Sequence, residues 1–255
     1  KKFQDKVWAE RELQENGIKV LGSTIIGLEN HTPENIDEVI DWAVSHNTVF
    51  HQFMLYTPLP GTALFELHSK DGSILSDQEH DIADTHGQLK FNYKHKNIHN
   101  GQEGEFILRA FRRDFEVNGP SVTRMIRVTL QGWQKHKNNP DGRVRKRFEM
   151  EATGLKHALA GVVWATRLWY KNDAAMKDKL NKLLNDLYAE FGFRTRLLAP
   201  IIGRYVHRMI KKEAQRLEAG WTYEPKTIYR KNAQALALQS NKEPLTISGN
   251  RSGKV

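Results

Sequence analysis

The chain has 255 residues, of which 39% are hydrophobic and 27% charged, so it is long enough to bury the core of one or two globular domains. It contains no cysteine, which excludes disulfides, thiolate zinc sites and a cysteine-ligated iron–sulfur cluster within this chain. No apolar run reaches the ~20 residues that cross a bilayer, and residues 1–17 lack the pattern of a signal peptide. These features predict a cytoplasmic protein with no metal site of its own.

Charge is divided unevenly along the chain. Residues 1–100 hold 9 Lys and Arg against 15 Asp and Glu, a net charge of −6, whereas residues 101–255 hold 30 against 15, a net charge of +15. The contrast predicts two physically different regions with different partners.

The first hundred residues are predicted to alternate helices and strands. A helical period runs to Asn16-Gly17, and because no N-cap precedes it we expect the natural chain to begin further upstream. Residues 18–28 are apolar and β-branched, which is typical of a strand buried on both faces. Residues 32–47 begin with an N-cap threonine followed by proline and predict a helix, and residues 49–56 predict the next strand. The loops of such βαβ units lie at the carboxyl ends of parallel strands, where α/β proteins bind ligands.

A rigid turn follows the second predicted strand. Pro58 and Pro60-Gly61 stiffen it, and Thr62 is placed to cap a short helix over residues 63–70. The next segment, residues 76–99, is polar and rich in histidine.

From residue 101 onward the pattern is helical. The predicted helices span residues 102–116, 120–137, 143–170, 173–191 and 194–219, separated by glycine, proline and asparagine breaks such as Gly192. From residue 236 the composition is typical of a disordered tail. The chain is therefore predicted to contain an α/β part at 1–100, a basic α-helical domain at 101–235 and a tail at 236–255.

Two stretches carry a family resemblance. GIKVLGSTIIGL (residues 17–28) and FMLYTPLPGTAL (residues 53–64), joined by the capped helix, resemble the last two β/α units of radical S-adenosylmethionine (radical SAM) enzymes. Within that superfamily they most resemble the members that carry a cobalamin-binding domain ahead of the barrel, and residues 84–95 are similar to the segment after the barrel in some of those members. The resemblance covers about residues 8–100, and the helical remainder is similar only to generic C-terminal extensions.

The resemblance implies the C-terminal part of a partial (β/α)6 TIM-like barrel, followed by the mainly α-helical domain. Enzymes of this family hold a [4Fe-4S] cluster through three cysteines and cleave SAM to a 5′-deoxyadenosyl radical, and cobalamin-dependent members often transfer a methyl group to carbon. Because this chain has no cysteine, the resemblance implies that the cluster ligands lie in a missing N-terminal part of the same protein, and that this chain holds no catalytic residue.

The resemblance also implies cofactor contacts on the two strands. The fifth-strand pattern accommodates the adenosyl group, and this sequence departs from it at Ser23 and Asn30. From the residues alone, Gly22 and Gly27 permit either close approach of a nucleoside or helix–strand packing. The residues that match the family pattern are Gly22, Ile25, Gly27, Tyr56, Pro58, Pro60 and Gly61.

Several polar side chains are candidates for contacting a substrate or an anion. A D-x-x-D-x-H cluster over residues 81–86 either binds a divalent metal or complements a helix dipole. His95 and His99 stand four residues apart, and a solvated helix face is the favoured interpretation of that spacing. An arginine-rich run at 143–147 either grips phosphate or faces solvent. The substrate or anion candidates are His31, Gln52, His86, Arg143, Arg145 and Arg147.

The segment 200–217 predicts a basic amphipathic helix. Its apolar residues fall on one face, and its cations, among them Arg204 and Arg208, line the other. This design suits an anionic membrane surface and equally suits an ordinary bundle helix. A nucleic-acid partner is disfavoured, because the sequence has no recognisable RNA-binding signature.

The sequence supports two functions of different classes. The leading hypothesis is the C-terminal fragment of a radical SAM enzyme that performs hydrogen abstraction or methylation on a small-molecule, lipid-like or anionic substrate, with peripheral attachment to an anionic membrane. The alternative is a non-catalytic basic helical adaptor that binds nucleic acid or an anionic membrane. A CxxxCxxC triad encoded upstream would favour the enzyme.

Overall fold

The computed structural model describes residues 6–76, 78–80 and 89–221. This part of the chain is mostly helical and holds two short strands, so the α/β class is confirmed, with a helical majority. The elements are α1 (Lys6–Glu15), β1 (Leu21–Ile26), α2 (Ile36–Ser45), β2 (Phe50–Leu55), α3 (Ala63–Lys70), α4 (Gln102–Asn118), α5 (Ser121–His136), α6 (Gly142–Ala152), α7 (Ala160–Trp169) and α8 (Ala174–Glu218). A π-helical turn, Leu155–Leu159, joins α6 to α7.

The two strands form a parallel pair. The register runs from Leu21 opposite Phe50 to Ile26 opposite Leu55. Parallel strands need a crossover connection, and α2 provides it. Both strands lie within the segments predicted for them. The described residues form no further strand, so a barrel stays a prediction.

The prediction that the first strand is buried on both faces is wrong. On one face Thr24 and Ile26 are buried, because α2 and α4 pack there. On the other face Leu21 is 61% exposed, Ile25 is 42% exposed, and Phe50 of the neighbouring strand is 43% exposed. No described element covers this second face, which we call the open face.

Of the two threonines predicted to cap a helix, one does so in the structure. Thr62 caps α3 as predicted, since its Oγ1 accepts a hydrogen bond from the Phe65 N–H at 3.2 Å. The helix predicted to begin beside Thr32 begins later, at Ile36. There the Thr32 hydroxyl instead accepts a long 3.3 Å hydrogen bond from the Glu34 N–H, in a turn that precedes the helix.

The single helix predicted over residues 143–170 is divided in the structure. The π-helical turn interrupts it and leaves the Lys156 carbonyl to accept a 2.6 Å hydrogen bond from the Thr195 hydroxyl of α8. By contrast, the break predicted at Gly192 is present within α8, where this residue has a non-helical conformation with φ of 78°.

Two hydrophobic cores stabilise the described residues. The first lies against the strand pair and includes α2, residues 91–98 and α4, with Phe106 and Ala110 fully or almost fully buried. The second is formed by α5 to α8 and the π-helical turn. Helix α4 packs into the first core and α5 into the second, so the first core extends beyond residue 101, where the composition changes.

A buried ion pair connects the two cores. Arg124 of α5 donates two hydrogen bonds to Asp114 of α4, at 3.0 and 2.6 Å, and a third to the Thr48 carbonyl at 2.8 Å. The Asn118 amide also donates to Asp114, at 2.9 Å. The pair therefore anchors α4 and α5 to the loop that precedes β2.

Packing divides the chain into two compact units, Lys1–Lys211 and Lys212–Val255. In the described part of the second unit, the Arg216 guanidinium lies 3.6 Å from the Trp221 ring centroid. None of the described helices combines the length and apolar character that a membrane span requires. The predicted tail, residues 236–255, lies outside the described residues.

Candidate functional site at the strand ends

The carboxyl ends of β1 and β2 meet at one edge of the strand pair. Residues 27–31 follow β1, and residues 56–62 follow β2. This edge carries the ligand sites of parallel α/β folds, and five of the seven predicted cofactor contacts lie there. In the structure a third segment, residues 89–98, hydrogen-bonds to both strand ends. We call it the covering segment.

Gly27 is in direct contact with the covering segment. Its φ of 85° lies in the left-handed region that favours glycine, and a Cβ atom placed there would lie 2.3 Å from the Phe91 ring. The Tyr93 hydroxyl donates to the Gly27 carbonyl at 3.2 Å. Burial raises the pKa of Tyr93, which keeps the hydroxyl protonated as a donor. Packing, one of the two roles the sequence left open, therefore accounts for this glycine.

His95 is a buried member of the covering segment, so the prediction of a solvated helix face is wrong. Its Nδ1 accepts hydrogen bonds from the N–H groups of Asn97 and Ile98, both at 3.0 Å, and its Nε2 lies 3.2 Å from the Leu28 carbonyl. Burial lowers the pKa of His95. His99 is exposed and shares no helix with it.

His31 supports the end of β1. Its side chain is buried, and its Nδ1 accepts hydrogen bonds from the Gly27 N–H at 3.0 Å and the Leu28 N–H at 3.2 Å. Burial, and secondarily the nearby His95, lower its pKa, so the neutral ring is favoured. The structure thus gives His31 a structural role in place of the predicted contact with a substrate or an anion.

Gly22 makes room for a histidine of the neighbouring strand. A Cβ atom at this position would lie 2.8 Å from Nδ1 of His51, whose Nε2 is 2.9 Å from the Thr24 hydroxyl. Burial lowers the pKa of His51. Packing therefore accounts for the second glycine too.

Ile25 and Gln52 occupy a different position from the two glycines. Both side chains are exposed on the open face, on adjacent strands, with Gln52 paired opposite Ser23. Of the predicted contacts on the strands themselves, these two are free to touch another molecule.

The turn after β2 is partly covered. The Tyr56 ring is half-buried, with its centroid 6.1 Å from that of Tyr93. Pro58 is buried, and its carbonyl accepts a 2.7 Å hydrogen bond from the Asn92 amide of the covering segment. The following Pro60-Gly61 is exposed.

The predicted arginine run does not form one anion site. Arg143 pairs with Asp141 at 3.0 Å, Arg147 pairs with Glu151 at 3.1 Å, and Arg145 donates to two backbone carbonyls of the preceding loop. Each guanidinium is thus engaged by a different local partner. The remaining candidate, His86, lies with the cluster at 81–86 outside the described residues.

Two features of the structure, the covering segment and a buried ion pair, were not predicted from the sequence. The alternation of aromatic rings at Phe91, Tyr93 and His95 has the two-residue period of an extended segment, and this signal could have predicted the covering segment. The buried pair of Asp114 and Arg124 had no such signal, because it joins two helices through tertiary packing alone.

The donor set at the strand ends limits its chemistry. Among the described residues no group of three or more metal-ligating side chains is placed to hold a metal ion. The chain has no cysteine, so it does not fit a [4Fe-4S] cluster. For an adenosyl group, the space beside both glycines is filled, and the open face at Ile25 and Gln52 supplies apolar and amide contacts only.

No protein-family model and no curated protein matches the sequence, and no solved structure matches the fold. Function is therefore inferred from residues and geometry.

Proposed function

We propose that this chain is the C-terminal part of a radical SAM enzyme, in which the open face lines the interior of a barrel. The observation that carries the proposal is the exposure of one face of a parallel strand pair. Parallel sheets are normally covered on both faces, yet Leu21, Ile25 and Phe50 are exposed on this one. Further β/α units of the same polypeptide would extend the sheet and enclose this face.

In this proposal the cysteines of the preceding part bind the [4Fe-4S] cluster. SAM supplies the radical for hydrogen abstraction or methylation of a small-molecule, lipid-like or anionic substrate, and a domain ahead of the barrel holds cobalamin. From this chain, Ile25 and Gln52 face the enclosed space, and Tyr56 stands at the end of β2. The first core already covers the opposite face and needs no rearrangement.

The test uses the protein encoded by the complete reading frame. It is reconstituted with iron and sulfide without oxygen, reduced, and assayed for conversion of SAM to 5′-deoxyadenosine. We expect turnover, and we expect Ile25→Glu to abolish it by placing a charge on the enclosed face. Met150→Glu, on the exposed surface of α6, is the matched control and should retain turnover. A complete protein that binds no cluster or leaves SAM intact would refute the proposal.

A second function, docking on an anionic membrane, is supported by α8. Five large apolar side chains follow one another at four-residue spacing on its second half and form one ridge along the helix. Two of them, Phe193 and Tyr205, are 75% and 66% exposed. From Gly192 to Lys211 the helix carries five Lys and Arg and no Asp or Glu. The ridge, which we call the α8 ridge, consists of Phe193, Leu197, Ile201, Tyr205 and Met209.

The opposite side of the same helix is already packed. Thr195, Ala199 and Gly203 are buried, and a Cβ atom at Gly203 would lie 2.5 Å from the Trp164 ring. The α8 ridge is therefore surplus to the second core, and apolar side chains among arginines suit the boundary between headgroups and acyl chains.

Vesicle flotation distinguishes this function from the adaptor that binds nucleic acid. We expect the chain to float with vesicles containing phosphatidylglycerol at low salt, more weakly at high salt, and little with pure phosphatidylcholine. Ile201→Asp should reduce binding about tenfold or more, since burying such a side chain contributes about 1.5–3 kcal/mol. Leu108→Asp, an exposed position on α4, is the control. Absence of binding to anionic vesicles would exclude this function.

A further inference from the structure

A cavity of about 520 Å³ lies between the loop before β2 and helices α4, α5 and α8. Its size falls within the range of small-molecule sites. Asn47, at its wall, precedes β2, so the cavity lies at the amino-terminal ends of the strands, opposite the edge that carries the candidate site. It shares no lining residue with that site.

The cavity wall is rich in cations. Four basic residues line it, and Asp186 is the one carboxylate among the lining residues. Arg124 is neutralised by its buried ion pair with Asp114. Arg127, Lys179 and Lys182 carry the remaining three positive charges, two more than the single negative charge of Asp186 can balance.

Among the described cations that line the cavity, Arg127 is the one that is partly buried without a counter-ion. Its side chain is partly buried, and no carboxylate in the described ranges pairs with it. Its guanidinium reaches the Asn47 side-chain oxygen only at 3.5 Å, the outer limit of a hydrogen bond. Burial, and secondarily the adjacent Arg124, lower the pKa of Arg127. A desolvated guanidinium without a counter-charge is destabilising, and a bound anion would relieve that cost.

Amide side chains complete the lining. Asn47, Asn118, Gln131 and Gln134 all line the cavity. The Asn118 amide already donates to the Val44 carbonyl and to Asp114, and Gln134 hydrogen-bonds to Glu190. The amides of Asn47 and Gln131 are available to donate hydrogen bonds to oxygens that the guanidinium and ammonium groups do not reach. The combination of a planar arginine fork, lysine point charges and neutral amide donors is the chemistry that recognises phosphate.

We propose that this cavity binds a soluble small molecule through a phosphate group. A phosphate with two negative charges matches the two surplus positive charges of the wall, and Arg127 and Lys182 are its principal contacts. The volume exceeds that of a phosphate group alone and leaves room for an organic part beside the amides. This site is independent of SAM and of the membrane surface.

The test measures the melting temperature of the 255-residue chain against sodium pyrophosphate, with sodium chloride at matched ionic strength as the reference. A ligand that binds only the folded state raises the melting temperature in a saturable manner, and we expect such a rise with pyrophosphate and a smaller one with inorganic phosphate. Arg127→Gln should weaken the apparent affinity about tenfold or more, because it removes a charge-assisted bond. Arg143→Gln removes the same charge from an exposed site and should leave the affinity unchanged.

Three results would overturn the proposal. The first is a rise no larger than that produced by chloride, and the second is an equal loss in the two arginine variants, which would indicate an unspecific charge effect. If Arg127→Gln does not fold, Lys182→Gln decides, because that side chain is exposed and its loss spares the core. The third overturning result is an unchanged pyrophosphate affinity in Lys182→Gln. Stabilisation by phosphatidylglycerol vesicles without stabilisation by pyrophosphate would also overturn the proposal, for the same reason as the first result.

Discussion

Replacement of Arg124 by methionine tests the buried link between the two cores. The side chain is 2% exposed, and its guanidinium makes two hydrogen bonds to Asp114 and one to the Thr48 carbonyl. Methionine has a comparable apolar length, so the variant removes charge and hydrogen bonds with little loss of volume. It leaves the Asp114 carboxyl buried without its counter-charge and held, among the described residues, only by the Asn118 amide.

We expect this change to destabilise the chain by about 3–5 kcal/mol, the usual cost of removing one partner of a buried ion pair. Small domains unfold with a free energy of about 5–15 kcal/mol, so the loss is a large part of the total. With a urea slope of about 1–3 kcal/mol per molar, the unfolding midpoint should fall by at least about 1 M. Replacing both partners, Arg124→Met with Asp114→Leu, should recover much of the loss, because no buried charge is then left unpaired.

The assay is equilibrium urea unfolding of the 255-residue chain, followed by circular dichroism. Arg143→Met is the matched control, since that guanidinium is exposed and its pair with Asp141 is at the surface. The control should keep the midpoint of the parent chain. A loss of less than about 1 kcal/mol in Arg124→Met, or a double variant less stable than the single one, would refute the assignment of the link.

The same unfolding assay tests three further expectations. Gly27→Ala should lower the free energy of unfolding by clearly more than the ~1–2 kcal/mol that a left-handed backbone costs, because Phe91 occupies the space of the added methyl group. Gly61→Ala, at φ of 84° in open space, should lose only the backbone contribution. Equal losses in the two variants would contradict the packing of Phe91 against Gly27. Tyr93→Phe should cost about 1 kcal/mol through the lost hydrogen bond, and no change would show that the bond does not stabilise the fold. For His31, burial lowers the folded pKa below its ordinary 6.5, so its contribution is present above that pH and is lost as the pH falls through the folded pKa. The parent chain should therefore lose more stability between pH 7.5 and pH 5 than His31→Asn, and parallel losses would exclude the effect.

Local rules predicted much of the secondary structure. The strands fall within the predicted segments, and helices α4 and α5 lie within two residues of their predicted ends. Three further predicted boundaries are present: α1 ends before Gly17, Thr62 caps α3, and Gly192 interrupts α8. Such features depend on neighbours within a few residues, which is why the sequence reveals them.

The errors arise where distant parts of the chain decide the outcome. The exposure of Leu21 and Ile25 depends on what lies beside the sheet, and an apolar segment alone does not tell one covered face from two. His31 was predicted to contact a substrate or an anion, and His95 was predicted to lie on a solvated helix face. Each instead accepts two backbone hydrogen bonds in a buried turn. The cavity around Arg127 is formed by the loop before β2 and by helices α4, α5 and α8, so no local sequence pattern predicts it.

The contact between Phe91 and Gly27 makes the covering segment compete with any ligand for the space beside Gly27. A molecule that approaches the α-carbon of Gly27 from the side where a Cβ atom would stand must first displace the aromatic ring that fills that space. Its observed affinity is then its intrinsic affinity multiplied by the fraction of molecules in which the ring has moved away. A Phe91→Ala variant would lack this ring, so a ligand of the strand ends would bind the variant more tightly than the parent chain. The same substitution would lower the stability of the fold.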